Sequence, residues 1–329
     1  MKKRGTGISC NTHPAGLKGG GDPSQAQIRL KPDGTLDLLV GAVDIGQGSK
    51  TILRQIAADE MGVPIEAITI NNFDTDTGPM CTGTFASRVT FMDGNAVIRA
   101  TDDLKRKIRS WAAKALEAGA DDILVADNMV SVRGRADLSR TMAQVGAMAN
   151  WGGEYLVGTG AYIPGPGQSF DPETGEMTAL SSLAFGACVA EVEVDTETGE
   201  VLVTKVANVN DVGKVISWEG CEGQQYGGAY MGVGRGRSEE VIHDPVTGVM
   251  LDGSLLDYKI ATILDIGTVD TLLVETGMGY GPYGAVGIGE DVATVVPALI
   301  GPAVYNAIGV WVDDFPITPE RVLKALGKA

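Results

Sequence analysis

The stretch AVGIGEDVATVVPALIGPAVYNAIG, residues 285–309, indicates how the C-terminal part of the chain folds. Gly287 and Gly289 lead to one acid, Glu290, and a long, mostly apolar run begins at Asp291. Such a run predicts a helix that is buried almost all round. Glu290 is therefore expected near the core, where burial is costly for an isolated carboxylate and tends to raise its pKa. A carboxyl held in this way can act as a general base near neutral pH.

Strand-like and helix-like segments alternate along the rest of the chain, with Gly, Asn and Asp turns between them. The predicted strands are 26–31, 35–43, 67–73, 123–126, 129–134, 186–195 and 200–209, and the predicted helices are 49–62, 87–118, 219–240, 291–308 and 317–326. This mixture predicts an α+β (mixed α/β) fold in which mixed sheets pack with helices. A chain of 329 residues is long enough for two such subdomains.

Domain boundaries follow from a change in composition. Residues 151–182 are rich in Gly and Pro and show little periodicity, so they predict an extended arm, with a solvated linker as the alternative. The arm is favoured because Tyr155 and Phe170 would be poor solvent-facing residues. The predicted division is 1–150 for the first subdomain, 151–182 for the arm and 183–329 for the second subdomain.

Composition argues against several classes of function. The net charge of −16 and the aromatic content of 5% disfavour binding to nucleic acid or to an anionic membrane. Four dispersed cysteines without a CxxC pair predict neither an iron–sulfur or zinc site nor a disulfide framework. The first residues, MKKRGTGISCNTHPAG, contain no apolar signal core, so we expect a genuine start and a cytoplasmic protein.

Two glycine-rich or small-residue turns precede predicted helices. In GAVDIGQGSKT, residues 41–51, Gly46 and Gly48 would leave backbone N–H groups open at a helix start, and Gln47 offers a neutral donor and acceptor. In GTFASRVT, residues 83–90, hydroxyls and the Arg88 cation would lie beside similar N–H groups, forming an anion cradle. The plainer alternatives are a turn that needs glycine only for its geometry and ordinary helix capping by Ser87.

A third segment, CEGQQYGGAYMGVGRGRSEE at 221–240, places many glycines inside a predicted helix. Each glycine costs about 1 kcal/mol relative to Ala, so the helix must gain something from close approach. The approaching group would be either a neighbouring helix or a ligand near Gln224.

Taken in order, six motifs resemble the C-terminal half of the molybdenum-binding part of the xanthine dehydrogenase/aldehyde oxidase family of molybdenum hydroxylases. The motifs are DGTLDLLVGAVDIGQGSKT, then DTDTGP with GTFASRVT and DGNAV, then AEVEVDTETGEV, then DVGKVI with EGQQYGGAYMGVG, then GPYGAVGIGE and finally ITPERVLKAL. They cover nearly the whole chain. The glycine-rich cofactor loop and the aromatic and arginine substrate clamp of the family's first half are not in this sequence.

The resemblance implies a set of cofactor-binding residues and a catalytic base. Glu290 matches the family's catalytic glutamate, and the predicted cofactor contacts are Gly46, Gln47, Gly48, Phe85, Ala86, Ser87, Arg88, Thr90 and Gln224. The implied cofactor is molybdenum–molybdopterin cytosine dinucleotide with a sulfido or selenido ligand. The pterin dithiolene would hold the metal, so no protein ligand to the metal is expected.

The resemblance also implies an activity and partners. The implied reaction is hydroxylation of a small N-heteroaromatic molecule with water as the oxygen source, and the split of the molybdenum part implies nicotinate, converted to 6-hydroxynicotinate. Activity would require a large molybdopterin-binding subunit, an iron–sulfur subunit and an FAD subunit. Alternatives are a purine or aldehyde substrate and a non-catalytic half that only completes the fold. One departure from the family is Val286, where a lysine is usual; another is DYKIATILDIG, which replaces a proline-containing segment.

Overall fold

The computed structural model describes residues 1–18, 21–165, 171–176 and 180–328. The chain forms two compact units. The N-terminal unit comprises Pro14–Leu183 and Gly277–Gly287, and the C-terminal unit comprises Met1–His13, Ala184–Thr276 and Ile288–Ala329. The predicted division differs from this one, because Met1–His13 belongs to the C-terminal unit and Gly277–Gly287 belongs to the N-terminal unit.

Helices and strands together form the α+β fold that the sequence predicts. The strands in the described residues are β1 (Lys2–Leu17), β2 (Ser24–Leu30), β3 (Leu36–Val40), β4 (Ile68–Asn71), β5 (Ile123–Ala126), β6 (Met129–Val132), β7 (Arg135–Thr141), β8 (Val157–Tyr162), β9 (Leu180–Asp195), β10 (Val201–Asp211) and β11 (Ile266–Val274). The helices are α1 (Ser49–Met61), α2 (Val89–Ala115), α3 (Met142–Trp151), α4 (Trp218–Arg237), α5 (Asp291–Ile308) and α6 (Pro319–Ala325).

In the N-terminal unit, helices α1 and α2 pack on a four-stranded sheet of order β4-β3-β2-β8. Alternate side chains of β2 point inward, which is the pattern of a sheet with one covered face. Gly158 and Gly160 of β8 lie against α2, where an added Cβ would come within 2.1 Å of Ala100 O and 2.2 Å of Ala96 O. Glycine is therefore required for helix and strand to approach this closely. A smaller sheet, β5-β6-β7, precedes α3.

The C-terminal unit is built on a sheet of order β1-β9-β10-β11, with α4 and α5 packed together. Three glycines of α4, spaced four residues apart, face apolar side chains of α5: Gly228 faces Val292, Gly232 faces Val296 and Gly236 faces Ile300. This spacing is the small-residue ridge that lets two helices pack closely. Helix packing therefore accounts for one face of the glycine-rich helix.

Some elements were not predicted, namely β1, β7, α3, β8 and β11. The N-terminal strand contains Gly5 and Gly7, which weaken its strand pattern but are needed because an added Cβ would lie 2.2 Å from Ala303 O and 2.3 Å from Leu299 O of α5. The predicted arm is partly wrong, since residues 157–162 form β8, paired with β2. Phe170, which favoured the arm, lies outside the described residues.

Helix α5 is long and apolar enough to cross a membrane by length and composition, with a mean hydropathy of 1.3 over 18 residues. More than half of this window is buried inside the protein. Its buried side chains belong to the core of the C-terminal unit, together with strands β9 and β10. Helix α5 is thus a core helix of this unit, as the sequence predicts.

Candidate functional site

The loop at 43–48 is closed by its own polar groups. Gln47 Oε1 accepts from the backbone N–H of Ile45 at 2.7 Å, and Gln47 Nε2 donates to the carbonyl of Val43 at 3.2 Å. Gly46 and Gly48 adopt positive φ values of 109° and 88°, which glycine tolerates best. The positions where Cβ atoms of these glycines would stand are open. A flat ligand can therefore approach this loop without meeting a side chain at either glycine.

Asp44 was missed from the sequence, and it changes the role of this loop. Its carboxylate accepts from the backbone N–H groups of Gly46, Gly48 and Lys50, at 2.9, 3.3 and 2.9 Å. Burial raises the pKa of Asp44, but these N–H donors more than offset it, so the pKa lies below its ordinary value. The expectation of open N–H groups for an anion at the start of α1 is wrong, because Asp44 already occupies them.

The turn before α2 is strained. Ala86 and Ser87 have φ values of 49° and 52°, in the left-handed region that residues with a Cβ seldom adopt. Each such residue costs on the order of 1–3 kcal/mol and persists only when its surroundings hold it. Ser87 is not the cap of α2; the N-cap residue is Arg88, and no side chain caps this helix start. Phe85 is half exposed beside this turn.

Gly287 packs directly against this turn. A Cβ on Gly287 would lie 1.8 Å from the carbonyl oxygen of Ser87, a distance that no side chain tolerates. Within the N-terminal unit, the glycine step that leads to Glu290 is thus held against the strained turn. Val286, which stands where a lysine is usual, is buried. Two of the six motifs therefore meet in space within one unit.

Arg88 does not offer its cation to a ligand. Its side chain is fully buried and lies between two carboxylates, pairing through Nε with Asp22 and through Nη1 with Asp93 at 3.3 Å. Further donations go to the carbonyls of Gly83 at 2.9 Å and Pro23 at 3.2 Å. The predicted anion cradle with an arginine cation is therefore wrong, and Arg88 instead fixes the loop that precedes the strained turn.

The ionisation of Asp93, a partner of Arg88, is also changed by burial. Burial raises the pKa of Asp93 to about 6, although the neighbouring Arg88 guanidinium lowers it. The Arg88 charge thus offsets only part of the desolvation. Thr90, the remaining predicted contact here, lies half-buried in the first turn of α2.

The glycine-rich helix α4 has a second, open face around Gln224. Gly223 and Gly227 are exposed, and nothing lies within 4 Å of where their Cβ atoms would be. Gln224 is half-buried, whereas Gln225 is fully buried and donates to Asn210 Oδ1 at 2.9 Å and to the carbonyl of Leu272 at 3.1 Å. Gln225 is therefore structural, and Gln224 is the glutamine that a ligand can reach.

Glu290 is the N-cap residue of α5, and the structure does not bury it. Its side chain is 48% exposed, and Oε2 lies 3.2 Å from Nε2 of His13, whose side chain is 14% exposed. The expectation of a buried Glu290 is wrong. No local pattern in the sequence reveals the contact of His13, because its partner is 277 positions away.

The buried acid of this helix start is the next residue, Asp291, which has no accessible surface. Neither carboxylate oxygen has a hydrogen-bond partner among the described residues. Burial raises the pKa of Asp291 to about 7, and the charge of Glu290 adds to the increase. The buried carboxyl expected at this helix start is therefore that of Asp291.

The residues fit a pterin cofactor in their donor chemistry. In the N-terminal unit, Gln47 is a neutral amide beside glycines whose Cβ positions are open, so a planar heterocycle can reach the backbone of that loop. In the C-terminal unit, taken by itself, Gln224 also lies beside glycines with open Cβ positions. Ser87 and Thr90 add hydroxyls at the start of α2. Arg88 is buried, and Asp44 accepts hydrogen bonds from N–H groups at the start of α1. An anionic part of the ligand would therefore have to be bound by other backbone N–H groups and by hydroxyls.

Comparison with known proteins gives a consistent result. Residues 1–267 match the model of a molybdopterin cofactor-binding domain. The chain is 32% identical over 327 residues to the putative xanthine dehydrogenase molybdenum-binding subunit XdhA of Escherichia coli K12, covering 97% of this chain and 42% of that protein. It is 31% identical to the nicotine 6-hydroxylase large subunit of Paenarthrobacter nicotinovorans, covering 91% of this chain and 36% of that protein.

Among solved structures, quinoline 2-oxidoreductase from Pseudomonas putida 86 superimposes with a TM-score of 0.86 at 28% identity, over 99% of this chain and 42% of that one. A Cu,Mo-CO dehydrogenase superimposes with a TM-score of 0.84 at 27% identity, again over 99% of this chain and 42% of that one. The chain spans less than half the length of these relatives.

Proposed function

Because the chain belongs to the molybdenum hydroxylase family and corresponds to the C-terminal half of the molybdenum-binding subunit, we propose that it supplies the base for hydroxylation of an N-heteroaromatic ring. The observation that carries this proposal is the Glu290 carboxylate, which is exposed at the start of α5 and contacted by His13. Half exposure lets this carboxylate exchange a proton with a group outside the protein.

The substrate we favour is nicotinate, hydroxylated to 6-hydroxynicotinate, as in nicotinate dehydrogenase. Supporting relatives are named for nicotine 6-hydroxylation and for quinoline oxidoreduction, and both compounds contain a pyridine-type ring. A purine is the second candidate, because the relative XdhA is named as a xanthine dehydrogenase subunit and is 32% identical. An aldehyde is the third candidate, since an aldehyde oxidoreductase from Desulfovibrio desulfuricans ATCC 27774 shares the fold with a TM-score of 0.78.

The cofactor we propose is the cytosine dinucleotide form of the molybdenum cofactor. Candidate contacts are the open glycine loop with Gln47, the turn at 85–90 through its backbone and hydroxyls, and Gln224. When bound, the cofactor supplies the two-electron oxidation and oxygen transfer. Iron–sulfur and FAD subunits, together with a large molybdopterin-binding subunit, would complete the enzyme. Names such as "large subunit" and "large chain" among the relatives support an assembly of several subunits.

Glu290 and His13 have distinct roles in this proposal. Glu290 accepts a proton at its carboxylate as the oxygen nucleophile forms, and a positioned base contributes roughly 10²–10⁴ in rate. His13 Nε2 contacts Glu290 Oε2 and restricts the rotation of the carboxylate. His13 is therefore a positioning residue, and half exposure leaves the other side of the carboxylate reachable.

Replacement of Glu290 tests the proposal. In the assembled enzyme, Glu290→Gln keeps the shape but cannot accept a proton, so turnover should fall about 10²–10⁴-fold, or roughly 3–5 kcal/mol of barrier. Molybdenum content should stay unchanged. Glu219→Gln, an exposed acid in the first turn of α4, is the matched control and should leave both values unchanged. Near-normal turnover of Glu290→Gln with full metal content would reject the assignment.

Substrate identity requires a separate measurement. Nicotinate, xanthine and an aromatic aldehyde should be offered to the wild-type complex in ¹⁸O-labelled water, with product analysis by mass spectrometry. Label incorporated into hydroxynicotinate at the highest kcat/KM supports the favoured substrate. Preference for xanthine or for the aldehyde would move the assignment to that class without affecting Glu290.

A further inference from the structure

The turn that begins α5 holds two consecutive acids in very different surroundings. Glu290 is half exposed and in contact with His13, whereas Asp291 has no accessible surface and no hydrogen-bond partner for either oxygen among the described residues. Adjacent carboxylates disfavour each other's ionisation. Only Glu290 is exposed to bulk solvent.

The surroundings of Asp291 are polar, but no cation pairs with it among the described residues. Asn11 donates through Nδ2 to the backbone carbonyl of Asp291 at 3.2 Å. Burial, together with the Asp291 charge, raises the pKa of the Cys188 thiol of β9 to about 12. Asn208 accepts from Cys188 Sγ at 3.0 Å. From α4, Arg235 donates to the carbonyl of Ala293. Within the described part of the chain, the titratable groups that interact with Asp291 are thus Glu290 and the Cys188 thiol, and His13 contacts Glu290.

Several neighbouring amides also have unused hydrogen-bonding atoms, both donors and acceptors. These atoms are Asn11 Oδ1, Asn208 Nδ2, Asn210 Nδ2 and Gln225 Oε1, all buried. A mixture of donors and acceptors suits internal water better than a metal ion, which would require acceptors only. The described residues also contain no group of three His, Cys, Asp or Glu side chains that could hold a metal. The environment is therefore that of a neutral acid in a polar pocket.

The charge state of Asp291 depends on whether the helix dipole stabilises its carboxylate more than burial destabilises it. The N-terminus of a helix stabilises a carboxylate by about 0.3–1 kcal/mol, rising to about 2 kcal/mol in partly buried settings. Burying an unpaired charge costs several kcal/mol even after relaxation. Burial therefore exceeds the helix-dipole effect, and the proton stays on Asp291 until the solution is near neutral.

We propose that Asp291 is a positioning residue for Glu290: it is a carboxyl kept in its neutral form beside the base, so that Glu290 alone carries negative charge at this helix start. This role rests on the proposed function of Glu290. While Asp291 is protonated, the helix start carries no second negative charge beside the Glu290 carboxylate. Once Asp291 loses its proton, a buried charge lies next to that carboxylate.

Infrared titration of the full chain tests the charge state without measuring turnover. The wild type should show a protonated carboxyl C=O band that disappears near pH 7 and is missing in Asp291→Asn. Asp93→Asn is the matched control, because it removes another buried acid, whose pKa is about 6. Retention of the neutral-pH band in Asp291→Asn, or its loss in Asp93→Asn alone, would overturn the proposal.

A second titration tests the link between the two acids. In Glu290→Gln, the midpoint of the Asp291 band should move to lower pH by roughly one unit, the scale at which two groups titrate as a pair. An unchanged midpoint would show that Asp291 is buried but unconnected to the base. In the assembled enzyme, Asp291→Asn should remove an inflection near pH 7 from the pH–rate profile. If Glu290 is not the base, the two infrared results still stand while the pH–rate profile does not change.

Discussion

Arg88 and Asp291 are both ionisable residues without solvent exposure, but their surroundings differ in kind. In the N-terminal unit, Arg88 is enclosed by two carboxylates and several carbonyl oxygens. In the C-terminal unit, Asp291 has two carboxylate oxygens without partners among the described residues. A buried charge with partners maintains one geometry, whereas a buried acid without them is forced to change its protonation state near neutral pH.

Because of this difference, we assign a structural role to Arg88 and a functional role to Asp291. Arg88 belongs to a motif that resembles a ligand cradle, yet its cation fixes the loop beside the strained Ala86–Ser87 turn. Asp291 looks like an ordinary helix-start acid, yet its burial places a titrating group next to the proposed base. The type and motif of a residue therefore identify a candidate site, whereas its contacts in the folded chain determine its role.

The largest effect is expected from Arg88→Met. Removing the guanidinium leaves Asp22 and Asp93 buried without their cation, and breaking a buried ion pair in this way typically costs about 3–5 kcal/mol. Urea denaturation of the full chain should show this loss. Arg54→Met is the matched control, because that guanidinium donates to the carbonyl of Ile65, and its loss should be nearer to about 1.5 kcal/mol. Equal losses in the two variants would mean that the carboxylates at Arg88 are not held by its charge.

The fold was largely predictable because its local signals are strong. Alternating strands such as β2 and β3, the end of α1 at Gly62 and the apolar run of α5 follow from side-chain periodicity and turn residues. Strand β1 was not predictable, because Gly5 and Gly7 are required by close packing against the backbone of α5, which is almost 300 residues away in the sequence. Local pattern cannot report a close approach of this kind.

The candidate site was predictable only in part, for the same reason. The Gly46–Gly48 loop and Glu290 stand out as motifs, but burial and pairing are properties of the folded chain. The contact of His13 with Glu290 and the enclosure of Arg88 by Asp22 join residues that are distant in sequence. Asp44 is nearer, at the edge of its own motif, and an acid before a helix start is a signal that could have found it.

A smaller effect of opposite sign is expected from Asp291→Asn. Folding raises the pKa of Asp291 from its ordinary 3.8 to about 7, so the folded chain binds more protons than the unfolded chain between these values. Wild-type stability should therefore fall as pH rises from about 4 to 7 and then level off. The variant lacks this loss, and its advantage should grow to at most about 4 kcal/mol at pH 8.

Asp93→Asn provides the comparison for this pH series. Its acid has a pKa of about 6, because Arg88 offsets part of the burial, so any pH-dependent gain should level off about one pH unit earlier than for Asp291→Asn. Urea denaturation at several pH values measures both curves. If the Asp291→Asn gain does not depend on pH, the carboxyl is already solvated or paired in solution, and the contrast with Arg88 is lost.

The smallest effect is expected from Gln47→Ala, and it tests whether a fully partnered polar group can still serve a ligand. Both ends of the Gln47 amide close its own loop, so in this respect it is like Arg88 and unlike Asp291. Losing these two hydrogen bonds should cost about 0.5–1.5 kcal/mol each, and the loosened Gly46–Gly48 segment should lower the molybdenum content of the assembled enzyme. Gln144→Ala is the matched control, since its side chain accepts from the backbone N–H of Thr141 in a capping box at the start of α3, and it should lower stability by a similar amount without changing metal content. Equal molybdenum contents in the two variants would show that the open glycine loop does not contact the cofactor, and that Gln47, like Arg88, only maintains the fold.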